Sequence, residues 1–201
     1  MARRISILAA ALALVAAISA TAATAAPTSY SGRARPLSFG AFGVGASIGD
    51  TGALPASGGS QSASLTNINV LGLVSVGLLQ GTTSGTGDES TSQASLVSVS
   101  LPIVGLTVDV VKSETTASCS GTTPSVSGSA QLVNIAVLGM PITVAMPNVA
   151  LTVPGGFSVM LNEQKSSISG TQGSITVNAI HVTGPGIDLV VASAESDITC
   201  G

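Results

Sequence analysis

The chain has 201 residues, of which 45% are hydrophobic, 7% are charged and 2% are aromatic, and its formal net charge is −3. This composition excludes a disordered, highly charged segment, because such segments combine low hydrophobicity with high net charge. It also argues against nucleic-acid binding, which needs a basic patch and usually aromatic side chains for base stacking. The length is typical of one domain, or of two small repeats that share one core.

The first 25 residues have the pattern of a secretory signal peptide. Arg3 and Arg4 precede an apolar run at residues 5–20, and small residues follow, with Ala25 as the predicted cleavage position. The apolar run is shorter than the roughly 20 residues that a membrane-spanning helix needs. We therefore predict an exported protein with no membrane span once the signal peptide is removed.

After a polar segment at residues 26–38, which we predict to be flexible, the chain consists of short apolar runs separated by Gly, Pro, Ser and Thr. Runs such as residues 94–101 (ASLVSVSL) alternate with period two, which is typical of strands. We predict a single all-β domain over residues 39–201, an antiparallel two-sheet β-sandwich, with a short β-solenoid as the alternative. The predicted strands are residues 39–48, 62–70, 73–79, 94–101, 106–111, 132–139, 142–146, 149–153, 157–163, 175–182 and 187–200. The predicted loops are residues 49–60, 80–88 and 165–173, and residues 120–128 are the predicted joint between two halves of the domain.

An internal similarity divides this domain into two parts. The octapeptides LTNINVLG, from Leu65, and LVNIAVLG, from Leu132, are identical at six of eight positions. Each is followed by strand-like runs that end in a cysteine, Cys119 in the first part and Cys200 in the second. This order predicts that the sandwich is built from two similar β units. The predicted units span about residues 62–119 and 129–200.

Cys119 and Cys200 are the two cysteines of the chain. An even number of cysteines in an exported protein indicates a disulfide, and because both cysteines end similar runs, the bridge would join the two units. Two buried free thiols and an intermolecular bridge are the alternatives. A zinc site is not predicted, because structural zinc needs four ligands and the chain has one histidine.

Polar residues lie on both sides of the hairpin predicted near the C-terminus, with Asn162, Glu163 and Gln164 on one strand and Asn178 and His181 on the other. We predict a hydrogen-bonded network that fixes this hairpin. A metal or ligand site there is the less favoured alternative, because cation sites built from oxygen ligands usually need more carboxylates. No cofactor is predicted.

His181 is the single histidine, so a Ser-His-Asp hydrolase would have to use it. It lies within an alternating strand-like run, where a hydrogen-bonded structural histidine is the favoured interpretation, and we predict no enzymatic activity. A secreted hydrolase that uses His181 is the less favoured alternative. A Lys–Asn isopeptide cross-link would have to use Lys112 or Lys165, and no pattern singles out either lysine.

Several strings of the chain resemble the choice-of-anchor P family of bacterial secreted and surface proteins. They are LNEQ at residues 161–164, ITVNAIHV at 175–182, GSAQLVN at 128–134, PITV at 141–144 and ITC at 198–200. The resemblance implies export and, in many members, attachment to the cell envelope through a variable C-terminal anchor, and it implies no established activity. The given chain has no sorting motif or hydrophobic tail after its last cysteine, so we expect a released protein unless a partner holds it.

These observations lead to an expected function. We expect a secreted, envelope-associated structural or interaction protein without enzymatic activity, whose partner is an envelope or extracellular protein or a glycan. The alternative is an extracellular ligand- or glycan-binding module. Sugar-binding platforms usually present Trp or Tyr, and the chain has only Tyr30, which weakens that alternative.

Overall fold

The computed structural model describes residues 27–41, 44–70 and 72–201 of the chain, so the predicted signal peptide and its cleavage position Ala25 lie outside the described residues. Within them, no helix has the length and hydropathy needed to cross a membrane. A short 3-10 turn spans Pro102–Val104. The strands are β1 Pro27–Ala41, β2 Val44–Ile48, β3 Gly59–Val70, β4 Val74–Thr86, β5 Glu89–Leu101, β6 Leu106–Ser120, β7 Thr123–Val133, β8 Ala136–Val137, β9 Met140–Pro141, β10 Val149–Val153, β11 Phe157–Ser169, β12 Gln172–Gly184 and β13 Ile187–Cys200.

The strands form two antiparallel sheets that pack face to face. Sheet A has the order β10-β11-β12-β13-β1-β2. Sheet B has the order β3-β4-β5-β6, and both β7 and the small β8-β9 ladder lie next to β6. The predicted all-β, antiparallel two-sheet sandwich is therefore confirmed, and the alternative of a solenoid is not the observed fold.

The core lies between the sheets and is made of Val, Leu, Ile and Ala side chains. Successive strand residues face opposite sides of a sheet, so the period-two runs place one set of side chains inward. Leu37, Leu96 and Leu161 have no exposed surface. Burying such a side chain contributes about 1.5–3 kcal/mol, which explains why the alternating runs form strands.

Towards one end of the sandwich the interior is lined by hydroxyl groups. The Oγ1 of Thr83 and the Oγ of Ser92 are 2.8 Å apart, and the Oγ1 of Thr115 and the Oγ of Ser196 are also 2.8 Å apart. All four side chains are buried. Because each hydroxyl has a hydrogen-bond partner, these polar groups can be buried at little cost.

This hydroxyl-lined interior explains why two predicted loops are wrong. In the structure β4 extends to Thr86, β7 begins at Thr123, and only residues 170–171 separate β11 from β12. Most inward positions there hold Gly, Ser or Thr, with Val126 and Ile168 as exceptions, so the backbone pairs without the regular apolar alternation that marks a strand. Residues 142–146, predicted as a strand, form none. The two predicted loops that are wrong are residues 80–88 and 165–173. The joint predicted at residues 120–128 contains the boundary between the halves, a turn at residues 121–122.

The prediction of a flexible segment at residues 26–38 is also wrong for its described part, which lies in β1 from Pro27 onward. β1 pairs antiparallel with β13 along its length. Gly32 and Ala34 are buried while the residues between and beside them face solvent, but Pro36 and the polar composition conceal this alternation. The partner strand lies at the other end of the chain, so no local signal reports the pairing.

The two halves of the chain follow one pairing pattern. The disulfide joins Cys119 to Cys200, and the buried hydroxyl pair joins Thr115 to Ser196, both across a separation of 81 residues. β1 lies beside β13 in the register in which β7 lies beside β6. Strands β1–β6 therefore correspond to β7–β13. Each half contributes its first strands to the sheet of the other: β1 and β2 lie in sheet A, and β7, β8 and β9 lie in sheet B.

The matching octapeptides do not occupy equivalent places in this arrangement. LTNINVLG lies mostly in β3, beside β4, whereas LVNIAVLG begins in β7, beside β6. The halves observed are residues 27–120 and 123–200, so the predicted unit boundaries of about 62–119 and 129–200 do not coincide with them. A common origin of the two halves stays a prediction.

The comparison of the halves identifies a buried hydroxyl that costs stability. Ser113 Oγ is buried without a hydrogen-bond partner among the described residues, whereas the corresponding position in the second half is the buried Ala194. We expect Ser113→Ala to raise the free energy of unfolding by about 1 kcal/mol, because an unsatisfied buried polar group costs about 1–3 kcal/mol. Urea denaturation at equilibrium measures this, and a destabilised variant would contradict it.

Candidate functional site

The predicted disulfide is confirmed. The Cys119 and Cys200 sulfur atoms are 2.10 Å apart, with their Cα atoms 5.6 Å apart. The bond connects the end of β6 in sheet B to the end of β13 in sheet A, and it lies in a small apolar cluster with Ala117 and Ile198. The two sheets are thus held covalently at the end where the interior is polar.

The predicted polar network lies on the outer face of sheet A and contains three of the five predicted residues in one group. The Nδ2 of Asn178 donates a hydrogen bond to Oε2 of Glu163 at 2.7 Å, and the Nδ1 of His181 lies 3.0 Å from the same oxygen. Glu163 stands directly opposite Asn178 in the β11–β12 ladder. Lys165 Nζ lies 2.7 Å from the other carboxylate oxygen, a partner that the sequence analysis did not assign.

Asn162 and Gln164, the other two predicted residues, form a separate contact. The Nε2 of Gln164 donates to Oδ1 of Asn162 at 2.9 Å. Asn162 has a φ of 51°, a left-handed conformation that Asn adopts more readily than most residues. Asn148 secures this irregularity, because its Oδ1 accepts from the Gln164 N–H at 2.9 Å and its own N–H donates to Asn162 O at 2.8 Å. These residues shape the strand beside the network and do not extend it.

The environment of His181 differs from that of a catalytic base. Its Nε2 lies 3.1 Å from Oδ1 of Asp188, so the imidazole is held between two carboxylates. A Ser-His-Asp triad needs a serine hydroxyl at one ring nitrogen, and both nitrogens here contact acids. Burial raises the pKa of Glu163, but hydrogen bonds from Lys165 and Asn178 and the nearby His181 outweigh it, so the pKa of Glu163 lies below its usual value.

A Gly-x-Ser-x-Gly pattern occurs at residues 45–49. In α/β-hydrolases this pattern forms a sharp strand-to-helix turn, whereas Ser47 lies within β2. The β ladders place Ser47 three strands away from His181 on the same row, which is about 14 Å at the usual strand spacing. The pattern therefore forms no triad with His181.

The two lysines considered for an isopeptide cross-link both pair with acids. Lys112 pairs with Glu114, and Lys165 contacts the Glu163 carboxylate that also accepts from Asn178. The Lys165 side chain is 67% exposed, whereas a nucleophilic lysine amine is usually desolvated in an apolar pocket. The arrangement therefore does not favour a cross-link.

Asp197, which the sequence analysis did not single out, has a carboxyl group with a strongly raised pKa. Burial raises its pKa to about 6, the charge of Glu195 adds to the rise, and a hydrogen bond involving Ser31 opposes it. Glu195 itself pairs with Arg35, whose Nη2 lies 2.9 Å from its Oε2. Arg35 is thus engaged by Glu195, and no cationic side chain among the described residues forms an ion pair with Asp197.

The raised pKa of Asp197 predicts a pH-dependent stability. A carboxyl group with a raised pKa binds its proton more tightly in the folded state, so it favours folding at low pH, and this benefit is lost as the pH rises from 3.8 through about 6. We expect Asp197→Asn to raise the free energy of unfolding near pH 7.5 by about 1 kcal/mol, after allowing for solvent screening. Near pH 4 the change should be close to zero. Urea denaturation at both pH values tests this, and equal changes at the two would contradict it.

The outer face of sheet B carries a shallow depression of about 490 Å³, lined by Ser, Thr and Gln side chains and Glu114. We call it the hydroxyl trough. One of its rows runs across β3–β6, with Ser62, Thr82, Gln93 and Glu114 directly opposite one another. These side chains offer hydrogen-bond donors and acceptors at the regular spacing of neighbouring strands. A second row in the trough is Ser60, Ser84, Thr91 and Thr116.

An apolar row lies on the same face, further along the strands. Leu78, Val97, Val110 and Val133 are directly opposite one another across β4–β7, and Leu78 and Val97 are each 38% exposed. The row exists because Ser98 has a φ of 56°, which turns Val97 outward. Sequence reasoning missed it, because the alternating run alone placed Val97 on the same side as the buried residues that follow.

Other kinds of site receive no support from the described residues. Within residues 27–41, 44–70 and 72–201, no three His, Cys, Asp or Glu side chains are grouped so that they could hold a metal ion. Comparisons of the chain with protein-family models, with curated proteins and with solved structures found no match. The resemblance to the choice-of-anchor P family stays a prediction.

Proposed function

We propose that the protein is an exported, non-enzymatic interaction protein of a bacterial envelope, and that it binds its partner through the outer face of sheet B. The observation that carries this proposal is the combination, on one face, of the hydroxyl trough and the apolar row. An apolar row beside polar side chains is typical of interaction surfaces. The disulfide is compatible with an oxidising, extracellular location. The predicted signal peptide and the family resemblance support export.

The absence of enzymatic activity remains part of the proposal. His181 contacts Glu163 and Asp188, which favours a role in holding β11, β12 and β13 together. A hydrolase that uses His181 would need a nucleophile at one of these contacts.

The test uses isolated cell-envelope fragments and the purified protein with its disulfide formed. Val97→Asp places a charge in the apolar row and is expected to weaken binding by about tenfold or more, because an unpaired charge at a desolvated contact costs more than 1.4 kcal/mol. Val44→Asp is the matched control, since Val44 is 71% exposed on β2 at the edge of the other sheet. Equal binding by wild type and Val97→Asp would overturn the proposal.

A second candidate function is the binding of a neutral glycan in the hydroxyl trough. It is favoured by the hydroxyl and amide groups that line the trough. Tyr30 does not contribute, because its hydroxyl donates to Gly87 O at 2.6 Å. The double variant Gln93→Ala and Glu114→Ala separates the candidates: loss of retention on envelope polysaccharide with binding to envelope protein unchanged would favour the glycan.

A further inference from the structure

The chain itself closes one side of the sandwich, between the edge of β1 and the edge of β4. The segment at residues 49–58 crosses this side, where Leu54 N donates to Gly32 O at 2.8 Å and Thr51 N donates to Ala34 O at 3.0 Å. β3 then runs beside β4 along most of its length. Backbone groups at both edges therefore have partners within the chain, which protects these edges from pairing with another chain.

The opposite side of the sandwich has no such cover. The link from β9 to β10 is only residues 142–148, and β10 pairs with β11 only from Val149 opposite Leu161 to Val153 opposite Phe157. In the part of the chain that is described, no strand pairs with the outer edge of β7 or with β11 beyond Leu161. Long edges of this kind are templates for pairing with another chain.

We call the uncovered side of the sandwich, between the outer edge of β7 and the unpaired edge of β11, the open side. β1 and β7 pair with their neighbours in equivalent registers, so Val126, Gly128 and Ala130 of β7 correspond to Tyr30, Gly32 and Ala34 of β1. Backbone groups of these three β1 residues bond to the covering segment at residues 49–58. The N–H and C=O groups of the corresponding β7 residues therefore point outward. The open side consists of Val126, Gly128 and Ala130 in β7 and Gln164, Ser166 and Ile168 in β11. The Gln164 N–H already bonds to Asn148 Oδ1, so an added strand would pair beyond it, beside Ser166 and Ile168.

Exposure on the open side shows that a cover is missing. Ile168 lies on the same side of β11 as the residues that face sheet B, yet it is 57% exposed. The corresponding positions of β4 are Gly81, Thr83 and Gly85, and all three are buried. The difference comes from the segment that covers β4 and has no counterpart over β11.

We propose that the open side binds an extended segment of another polypeptide, which crosses the edge of β7 and adds a strand beside β11. Residues 50–65 make these contacts in the other half of the same fold, and strand addition of this type draws its affinity from main-chain hydrogen bonds. This inference goes beyond the proposed function, because it uses a different surface from the outer face of sheet B.

Charge and size further define the segment that binds. β7 has no charged residue, and neither have residues 51–65 that cover the other side, so a neutral segment would cross a neutral edge at β7. The open stretch of β11 carries one lysine, Lys165, and its ammonium group pairs with Glu163 on the outer face of sheet A. In the covered half, Leu54 packs so closely on Gly85 that a Cβ there would lie 2.9 Å from Leu54 Cδ2. Ile168 stands at the position of Gly85, so the added segment carries a small residue opposite it.

The test uses the full chain with its disulfide formed and a synthetic peptide with the sequence of residues 51–65 carrying the substitution Leu54→Ala. Hydrogen exchange is followed residue by residue. At about millimolar concentration the peptide is expected to slow exchange of the Val126 and Ala130 amides about tenfold or more, because the corresponding Tyr30 and Ala34 amides donate to the covering segment. Ile168→Asp is expected to remove this protection, because it buries a charge against the neutral peptide.

Val44→Asp is the matched control and should keep the protection, since Val44 is an exposed apolar residue on a different edge. A scrambled peptide of the same composition should give none. Unchanged exchange at saturating peptide, or equal protection of both variants, would overturn the proposal. So would slow exchange of these amides in the free monomer, or protection that depends on protein concentration alone, which would indicate a second copy as the occupant.

Discussion

Removal of the Cys119–Cys200 disulfide is expected to lower the free energy of unfolding by about 4–5 kcal/mol. The bond closes a loop with a sequence separation of 81 residues, and in the chain-entropy model a loop of this length restricts the unfolded state by that amount. The effect is a large part of the total stability of a typical domain, about 5–15 kcal/mol. The double variant Cys119→Ala and Cys200→Ala, compared with wild type by urea denaturation, measures it.

The position of the bond adds a structural reason for this expectation. It joins the two sheets at the end where Thr83, Ser92, Thr115 and Ser196 take the place of large apolar side chains. Hydroxyl pairs contribute only about 1 kcal/mol each, so this end has less apolar burial to hold the sheets together. A reductant should reproduce the effect on wild type and have none on the double variant. A difference below about 1 kcal/mol between oxidised and reduced protein would refute the expectation.

The sequence predicts the strands well where their inward residues are apolar. The last strand, Ile187–Cys200, and the short β10 have the predicted bounds, because Val, Leu and Ile alternate there with polar residues. β1 and the outer parts of β4, β7 and β11 are missed, because small or polar inward residues such as Gly32, Thr83, Gly128 and Ser166 interrupt their apolar alternation. At Gly32 an added Cβ would lie 2.6 Å from Thr83 Oγ1. Glycine is therefore needed there because the two sheets pack closely, and a hydrophobic side chain would not fit.

The candidate site could likewise be predicted from the sequence only in part. The hairpin register that places Glu163 opposite Asn178 could be predicted, since both residues flank one turn. Asp188 could not, because it reaches His181 from the next strand of the sheet. The apolar row that includes Val97 depends on a single left-handed residue, Ser98, and no periodicity in the sequence reports such a local reversal.

Glu163→Ala is expected to lower the free energy of unfolding at pH 7 by about 2–3 kcal/mol. The carboxylate accepts from Asn178 and contacts Lys165 and His181, and its side chain is only 12% exposed. Removing it leaves the buried Asn178 amide without this partner, and losing hydrogen bonds to a charged group costs about 1.5–3 kcal/mol. Urea denaturation of the two proteins measures the difference.

The pH dependence of this difference identifies the carboxylate as its cause. Because the folded-state pKa of Glu163 is lowered, its contribution is present above the unfolded-state pKa and is lost as the pH falls through the folded-state value. The gap between wild type and Glu163→Ala should therefore narrow near pH 3. Asp188→Ala is the matched control: Asp188 contacts the same imidazole but is 66% exposed, so its loss should cost less than about 0.5 kcal/mol. Equal losses for the two variants would show that the burial of Glu163 does not cause the loss of stability.

Binding by the same variant separates stability from function. Folded Glu163→Ala protein that still binds envelope fragments would assign the network to stability, whereas folded protein that fails to bind would place the partner on sheet A.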